Sequence, residues 1–211
     1  MPGKPPFARR AEALPPDAEE LLELSVRDLV ARIAAETPTP ASGSASALVA
    51  TLAAALVGMA ARFSRAAWPE AGGAVAQANA LQERAAPLAQ SDSEAYEAVL
   101  AARREHRDLP QPDRDALIGD ALALAAEVPL AIAEVAADIA QLGALVAEKG
   151  NPNVAGDAAA GAVLAESAAR AAANLVAINL GTRYGDLRLV RAQALADTAA
   201  VAARRALAVT S

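Results

Sequence analysis

The chain of 211 residues has no cysteine, one histidine and very few aromatic side chains, which make up 2% of it. Without cysteine, disulfides and thiolate chemistry are excluded. A single histidine, His106, argues against a histidine-based metal site. Positive charge is also scarce. Nineteen Lys and Arg stand against 25 Asp and Glu, giving a net charge of −6, and this balance argues against general nucleic-acid binding. Walker loops, dinucleotide fingerprints, Gly-x-Ser-x-Gly elbows and His-Glu-x-x-His motifs are all missing. No stretch alternates as a half-buried strand does, and no repeat of the 20–50-residue kind is visible.

What is abundant is small and apolar. Hydrophobic residues make up 55% of the chain, mostly Ala, Leu and Val. Ala is the strongest helix former, and its short side chain lets helix axes approach closely. The expected fold is therefore all-α: a bundle of about six helices, several long and kinked. Long Ala-rich faces with few polar positions also suggest a dimer. Residues 1–16 hold five of the 13 prolines and read as a disordered or surface-draped arm, with 17–211 as a single helical domain. Lys4, Arg9 and Arg10 precede no apolar core, so the N-terminus does not read as a secretory signal, and a cytoplasmic protein is expected.

Taken in order, Asp17 is expected to open a helix that stops before Pro38. From Thr37 to Ser46, prolines, Gly43 and three serines break the pattern. Ser42, Ser44 and Ser46 are N-cap candidates for the apolar helix that follows. A plain helix–helix connection is the simplest reading, but free N–H groups at a helix start also suit an anion. The run Ala45–Ala61 approaches the length of a membrane span. Ser46, Thr51 and Gly58 dilute it, and Arg62 and Arg65 flank it, so it reads as the central helix of a soluble bundle. Trp68-Pro69 and Gly72-Gly73 mark a second break. Helical patterns then cover about 74–107, with Pro87 inside, and about 113–149, with Pro129 inside. Each proline should kink or divide its helix. Further helices are expected over about 154–180 and from about 186 to 209.

The chemistry must come from polar groups set among apolar faces. Asn151-Pro152-Asn153 is a turn; Asn153 is a candidate cap, and Asp157 falls in the first turn of the next helix. An acidic residue there is also ordinary dipole complementation. Asn174 and Asn179 are five residues apart, about 140° around a helix, so one ligand group is not expected to engage both. Asp92 shares a face with Tyr96, although Ser91, Ser93 and Glu94 around it also suit a solvated face. The charged run Arg103–Asp108 reads as a solvated helix end.

Several separated stretches carry a resemblance: Thr37-Pro38-Thr39-Pro40 with its Gly-Ser turn, Leu109-Pro110, Ala125–Leu130, Gly150–Asn153 with Asp157, and Asn174 to Leu180. In this order they resemble the cyclodeaminase/cyclohydrolase family, which includes the C-terminal domain of formiminotransferase-cyclodeaminase and bacterial methenyltetrahydrofolate cyclohydrolases. The resemblance covers about residues 20–200. It implies an all-α homodimer acting on a tetrahydrofolate derivative, with no metal or redox cofactor and neither nucleic acid nor membrane as partner. It implies Asp157, then Asp92, as acid–base groups. Pro38, Thr39, Ser42, Gly43, Ser44, Asn151, Asn153 and Asn179 would bind substrate, with Arg103, Arg104 and Lys149 as further candidates for its anionic tail. The Ser42–Ser44 turn and Asn151–Asp157 would form two halves of one pocket. The family usually shows three glycines where this chain has Ala41-Ser42-Gly43. The alternative is a non-catalytic helical dimer that binds folate or a partner enzyme, and that departure motivates it.

Overall fold

The computed structural model describes residues 20–181, 183 and 185–210. The proline-rich arm and the start of the first expected helix lie outside them. Among the described residues there is no strand. The helices are α1 (Val26–Ile33), α2 (Ser42–Phe63), α3 (Ala71–Ala85), α4 (Leu88–Glu105), α5 (Gln111–Ala125), α6 (Glu127–Lys149), α7 (Ala155–Asn179) and α8 (Leu187–Val209), with a 3₁₀ turn at Pro152–Val154. The six expected helical runs are present, and the two long ones are divided.

The divisions follow the prolines. Between α3 and α4 the break falls at Ala86 and Pro87. Between α5 and α6 it falls at Ala126, three residues ahead of Pro129. Pro129 therefore occupies the first turn of α6, where its missing N–H leaves no intrahelical bond unmade. Two expectations fail locally. The expected start near Asp17 lies outside the described residues, but residues 20–25 are not helical, and the first described helix begins at Val26, where Ser25 caps it by accepting from the Asp28 amide at 3.2 Å. Gly72 and Gly73 lie inside the first turn of α3; the chain break is carried by the turn over Arg65–Glu70 instead.

The core is built from alanine. A large buried cluster joins α2, α3, α6, α7 and α8, with Val57, Leu81, Val135, Ile139 and Val146 among its few larger members. Glycines set the closest approaches. A Cβ on Gly161 of α7 would lie 2.6 Å from Val57 Cγ2 and 3.2 Å from the Ala53 carbonyl of α2. A Cβ on Gly143 of α6 would meet Ala162 Cβ at 3.0 Å and the Ala158 carbonyl at 3.1 Å. α7 thus lies against α6, α2 and α8 with almost no intervening side chain.

α2 and α7 run antiparallel. At one end, Ser42 and Gly43 share a cavity with Leu175, Ile178 and Asn179. In the middle, Gly161 meets Val57. At the other end, Ser64 Oγ accepts from the Asn151 amide at 2.9 Å, and the Asn151 side-chain amide donates to the Phe63 carbonyl at 3.3 Å. Gly150 ends α6 where a Cβ would collide with Ser64, so close approach explains that glycine. By length and composition, three helical runs could cross a membrane: Ser42–Phe63, Gln111–Lys149 and Pro152–Asn179. In the bundle their buried faces pack on one another.

Candidate active site

The site begins with the first amides of α2. A helix start leaves unpaired N–H groups and a positive dipole end. The serines were candidates to satisfy them from within. Instead the N-cap residue is Ala41, which makes no side-chain cap bond, and Ser42, Ser44 and Ser46 are all helical. The cap comes from another helix. Asp92 of α4 accepts from the Ser44 amide at 2.8 Å and from Ser44 Oγ at 3.1 Å, both through Oδ2. Ser44 Oγ also lies 3.1 Å from Ser93 Oγ. Ser44 and Ser93 are buried, and Asp92 is half-buried. Ser46 turns its hydroxyl back to the Ser42 carbonyl at 2.7 Å.

Gly43 explains how the carboxylate comes so close. A Cβ there would overlap the Asp92 side chain. Neither of the other two positions in Ala41-Ser42-Gly43 needs glycine. Ala41 is exposed in extended backbone (φ −129°), and Ser42 is exposed in the first turn of α2. Among the described glycines only Gly185 has positive φ.

A cavity of about 260 Å³ opens beside this cap. Pro38, Thr39, Ala41, Ser42 and Gly43 form one side, Asp92, Ala95 and Tyr96 another, and Ala125, Leu175, Ile178 and Asn179 the rest. Thr39 is held in place by donating to Glu97 at 2.9 Å. Burial pushes the Asp92 carboxyl above its usual value of 3.8, while the two bonds from Ser44 pull the other way. A carboxyl whose pKa is raised by burial is better suited than a free one to accept a proton and return it.

The sequence model of the formiminotransferase-cyclodeaminase family matches residues 25–194. The chain belongs to that family. It is 32% identical over 155 residues to the methenyltetrahydrofolate cyclohydrolase of Methylorubrum extorquens, an alignment spanning 70% of this chain and 74% of that one. The crystal structure of formiminotetrahydrofolate cyclodeaminase from Thermotoga maritima has the same fold, with a TM-score of 0.78 at 25% identity over 90% of this chain and 97% of that one.

In this family member the expected site residues divide into two groups. Pro38, Thr39, Ser42, Gly43, Asp92 and Asn179 line the cavity, and Ser44 binds Asp92 just behind it. Asn151, Asn153 and Asp157 do not join them within one chain. They lie beside Phe63 and Ser64, at the far end of a 22-residue helix, about 33 Å away at 1.5 Å per residue. Asn153 and Asp157 are exposed. Asn153 caps nothing: its amide donates to the Asn151 side chain at 3.0 Å. Asp157 sits in the first turn of α7 as expected. Asn174 and Asn179 face different hollows, as their angular separation required, with Asn174 on a groove shared by α7 and α8. Arg103 and Arg104 are exposed in the last turn of α4, away from the lining.

Sequence reading missed Ser93 and the apolar wall of Leu175 and Ile178. Ser93 stands in a run of polar residues that suits solvent, and its only signal was adjacency to Asp92. Among the described residues no group of three or more His, Asp or Glu is placed to share a metal ion.

Proposed function

We propose that the chain is a folate-dependent one-carbon enzyme acting on methenyltetrahydrofolate or formiminotetrahydrofolate, with Asp92 as its acid–base group. The observation that carries this reading is a carboxyl with a raised pKa, fixed by Ser44 on the wall of a cavity. The two named relatives act, by their names, on these two substrates.

Both reactions pass through a tetrahedral carbon. In hydrolysis, water attacks the methenyl carbon while Asp92 takes one of its protons; one carbon–nitrogen bond then breaks, Asp92 returns that proton to the departing nitrogen, and the new hydroxyl loses its proton to solvent as the carbonyl of formyltetrahydrofolate forms. In cyclisation, N-10 attacks the formimino carbon and loses its proton, and ammonia leaves after receiving one. Each needs orientation and one proton carrier, which a positioned carboxyl supplies. Neither requires a metal or redox cofactor. Tyr96, Thr39 and Asn179 are placed to orient the ring system, and Leu175 and Ile178 offer it an apolar wall. Nucleic acid is not a proposed partner, given the net charge of −6. We also propose a cytoplasmic homodimer rather than a membrane protein: the long apolar helical runs bury faces on one another, and the exposed Leu52 and Phe63 leave α2 an apolar surface for a second copy.

Loss of methenyltetrahydrofolate absorbance, and release of ammonia from the formimino compound, test the proposal directly. Asp92→Asn should slow whichever reaction is found by about 100-fold or more, the usual contribution of a general acid–base group. Full activity of that variant would remove Asp92 from the role. The acidic limb of kcat/KM should lie above the ordinary carboxylate value. Backbone strain gives the non-catalytic alternative no support, because Ala41 and Ser42 occupy conformations open to any residue, whereas their side chains do stand in the cavity lining; folate binding without turnover would favour that alternative.

A further inference from the structure

The serines at the start of α2 differ in what holds their hydroxyls. Ser44 Oγ is engaged by Asp92 and Ser93. Ser46 Oγ is engaged by the Ser42 carbonyl. Ser42 is exposed and lines the cavity, and among the described residues its hydroxyl has no hydrogen-bond partner. Thr39, the other hydroxyl of that lip, is held by Glu97. Ser42 therefore has a donor and acceptor left over for whatever enters.

The two oxygens of Asp92 differ as well. Oδ2 accepts from both the amide and the hydroxyl of Ser44. A hydroxyl carries one proton. With Ser44 giving its own to Asp92, the contact between Ser44 and Ser93 takes its proton from Ser93, and the buried pair keeps Oδ2 in its accepting role. Oδ1 accepts no hydrogen bond among the described residues, and it is the atom that a Cβ on Gly43 would meet first. The proton that Asp92 carries therefore belongs on Oδ1, over the bare α-carbon of Gly43.

Ser42 and Gly43 are consecutive, with α-carbons about 3.8 Å apart, and both line the cavity. One stretch of wall thus presents a free carboxylate oxygen and a free hydroxyl, polar partners for a single water molecule. A water that donates one proton to Oδ1 and the other to Ser42 Oγ keeps its lone pairs for a carbon in the cavity. The two candidate reactions differ in what attacks. In hydrolysis the nucleophile is water. In cyclisation it is N-10 of the substrate itself, and no water takes part. A group that seats water therefore favours one reaction over the other.

We propose that Ser42 is a specificity-determining residue, which together with Asp92 Oδ1 seats the attacking water and makes hydrolysis of methenyltetrahydrofolate the preferred reaction of this chain. The inference rests on the folate reading above. In the step, the water oxygen bonds to the methenyl carbon, and one water proton passes to Asp92 Oδ1 and from there to the departing nitrogen. The proton that faced Ser42 is lost to solvent as the formyl carbonyl forms, so the methenyl cation and water give the neutral formyl compound and one proton. The family usually has glycine at this position. A preference between two reactions is therefore asked of the hydroxyl, and the chemistry itself stays with Asp92.

Hydrolysis of methenyltetrahydrofolate and ammonia release from the formimino compound are measured for wild type, Ser42→Ala and Ser42→Thr. Wild type should favour hydrolysis in kcat/KM. Ser42→Ala should lower kcat for hydrolysis about tenfold, on the order of one hydrogen bond in the transition state, with KM held within about twofold. Where wild type also releases ammonia, the ratio of hydrolysis to cyclisation should fall by the same factor. Ser42→Thr keeps the hydroxyl and should keep most of the rate. An unchanged kcat in Ser42→Ala, an equal loss in both reactions, or a loss that threonine does not restore would overturn the proposal. So would a rise in KM alone, which would assign the hydroxyl to folate instead of water. A wild type that cyclises the formimino compound and leaves the methenyl one intact would overturn it too, with the folate reading still standing. A wild type inert towards both would defeat the folate reading, and this inference with it.

Discussion

Opposing demands meet at Asp92. Burial favours its neutral form, whereas the amide and hydroxyl of Ser44 favour the carboxylate, and burial is the larger effect. The folded chain therefore holds this proton more tightly than the unfolded chain. By linkage, the contribution of Asp92 to stability is full below the unfolded value near 3.8 and is lost as pH rises through the higher folded value. Asp92→Asn should accordingly gain stability relative to wild type as pH rises from 3 toward 7, read as the difference in urea midpoint. A difference that stays constant across that range would mean burial does not govern the group. Asp186 shows the reverse case. Bonds from Arg188 hold its carboxyl down to about 2, so its contribution is present above the unfolded value and lost as pH falls toward 2. Gly43 belongs to the same scale. Gly43→Ala puts a methyl group where the Asp92 carboxylate lies, which should displace the cap, cost about 1–2 kcal/mol in chemical unfolding and lower turnover with it. Unchanged stability together with unchanged turnover would remove that contact from the account.

Elements were the most legible part of this chain. Ala-rich periodicity and proline position marked every long helix, and the division ahead of Pro129 follows from a carbonyl clash that any sequence shows. Acidic residues near Asp17 resemble a first turn in sequence, yet residues 20–25 are not helical, and the bond of Ser25 to Asp28 that caps α1 shows only in three dimensions. Glycines show how far composition falls short. In a helix interior, Gly→Ala should stabilise by up to about 1 kcal/mol through propensity. That should hold at Gly119 of α5, where nothing lies within 4 Å of a new Cβ. At Gly161 the same change meets buried, β-branched Val57 and the Ala53 carbonyl, and overpacking of about 1–3 kcal/mol outweighs propensity. Paired thermal melts of Gly119→Ala and Gly161→Ala should move in opposite directions. Equal shifts would show that α2 and α7 can separate without penalty.

At the scale of the molecule, the sequence could list site residues without showing which of them meet. Asp92 and Ser44 are 48 positions apart, and their contact depends on how α4 crosses the start of α2. Asn151 and Asp157 were grouped with them by resemblance, yet antiparallel packing of α2 and α7 carries them to the opposite end. The proposed homodimer also has a thermodynamic signature. If each copy needs the other to cover the exposed Leu52 and Phe63 of α2, unfolding is coupled to dissociation and the midpoint must rise with protein concentration. A tenfold increase adds about 1.4 kcal/mol per dimer. Divided by an unfolding entropy of roughly 0.8 kcal/mol/K for a pair of chains this long, that is a rise of about 2 °C. Leu52→Glu puts a charge on a side chain of α2 that is 65% exposed in the single chain. It should abolish the concentration dependence while helical circular dichroism persists, because α2 keeps its buried face against α3, α6 and α7. A wild-type midpoint that does not move over a hundredfold range of concentration would mean that these side chains are stable uncovered, and the proposed homodimer would fall.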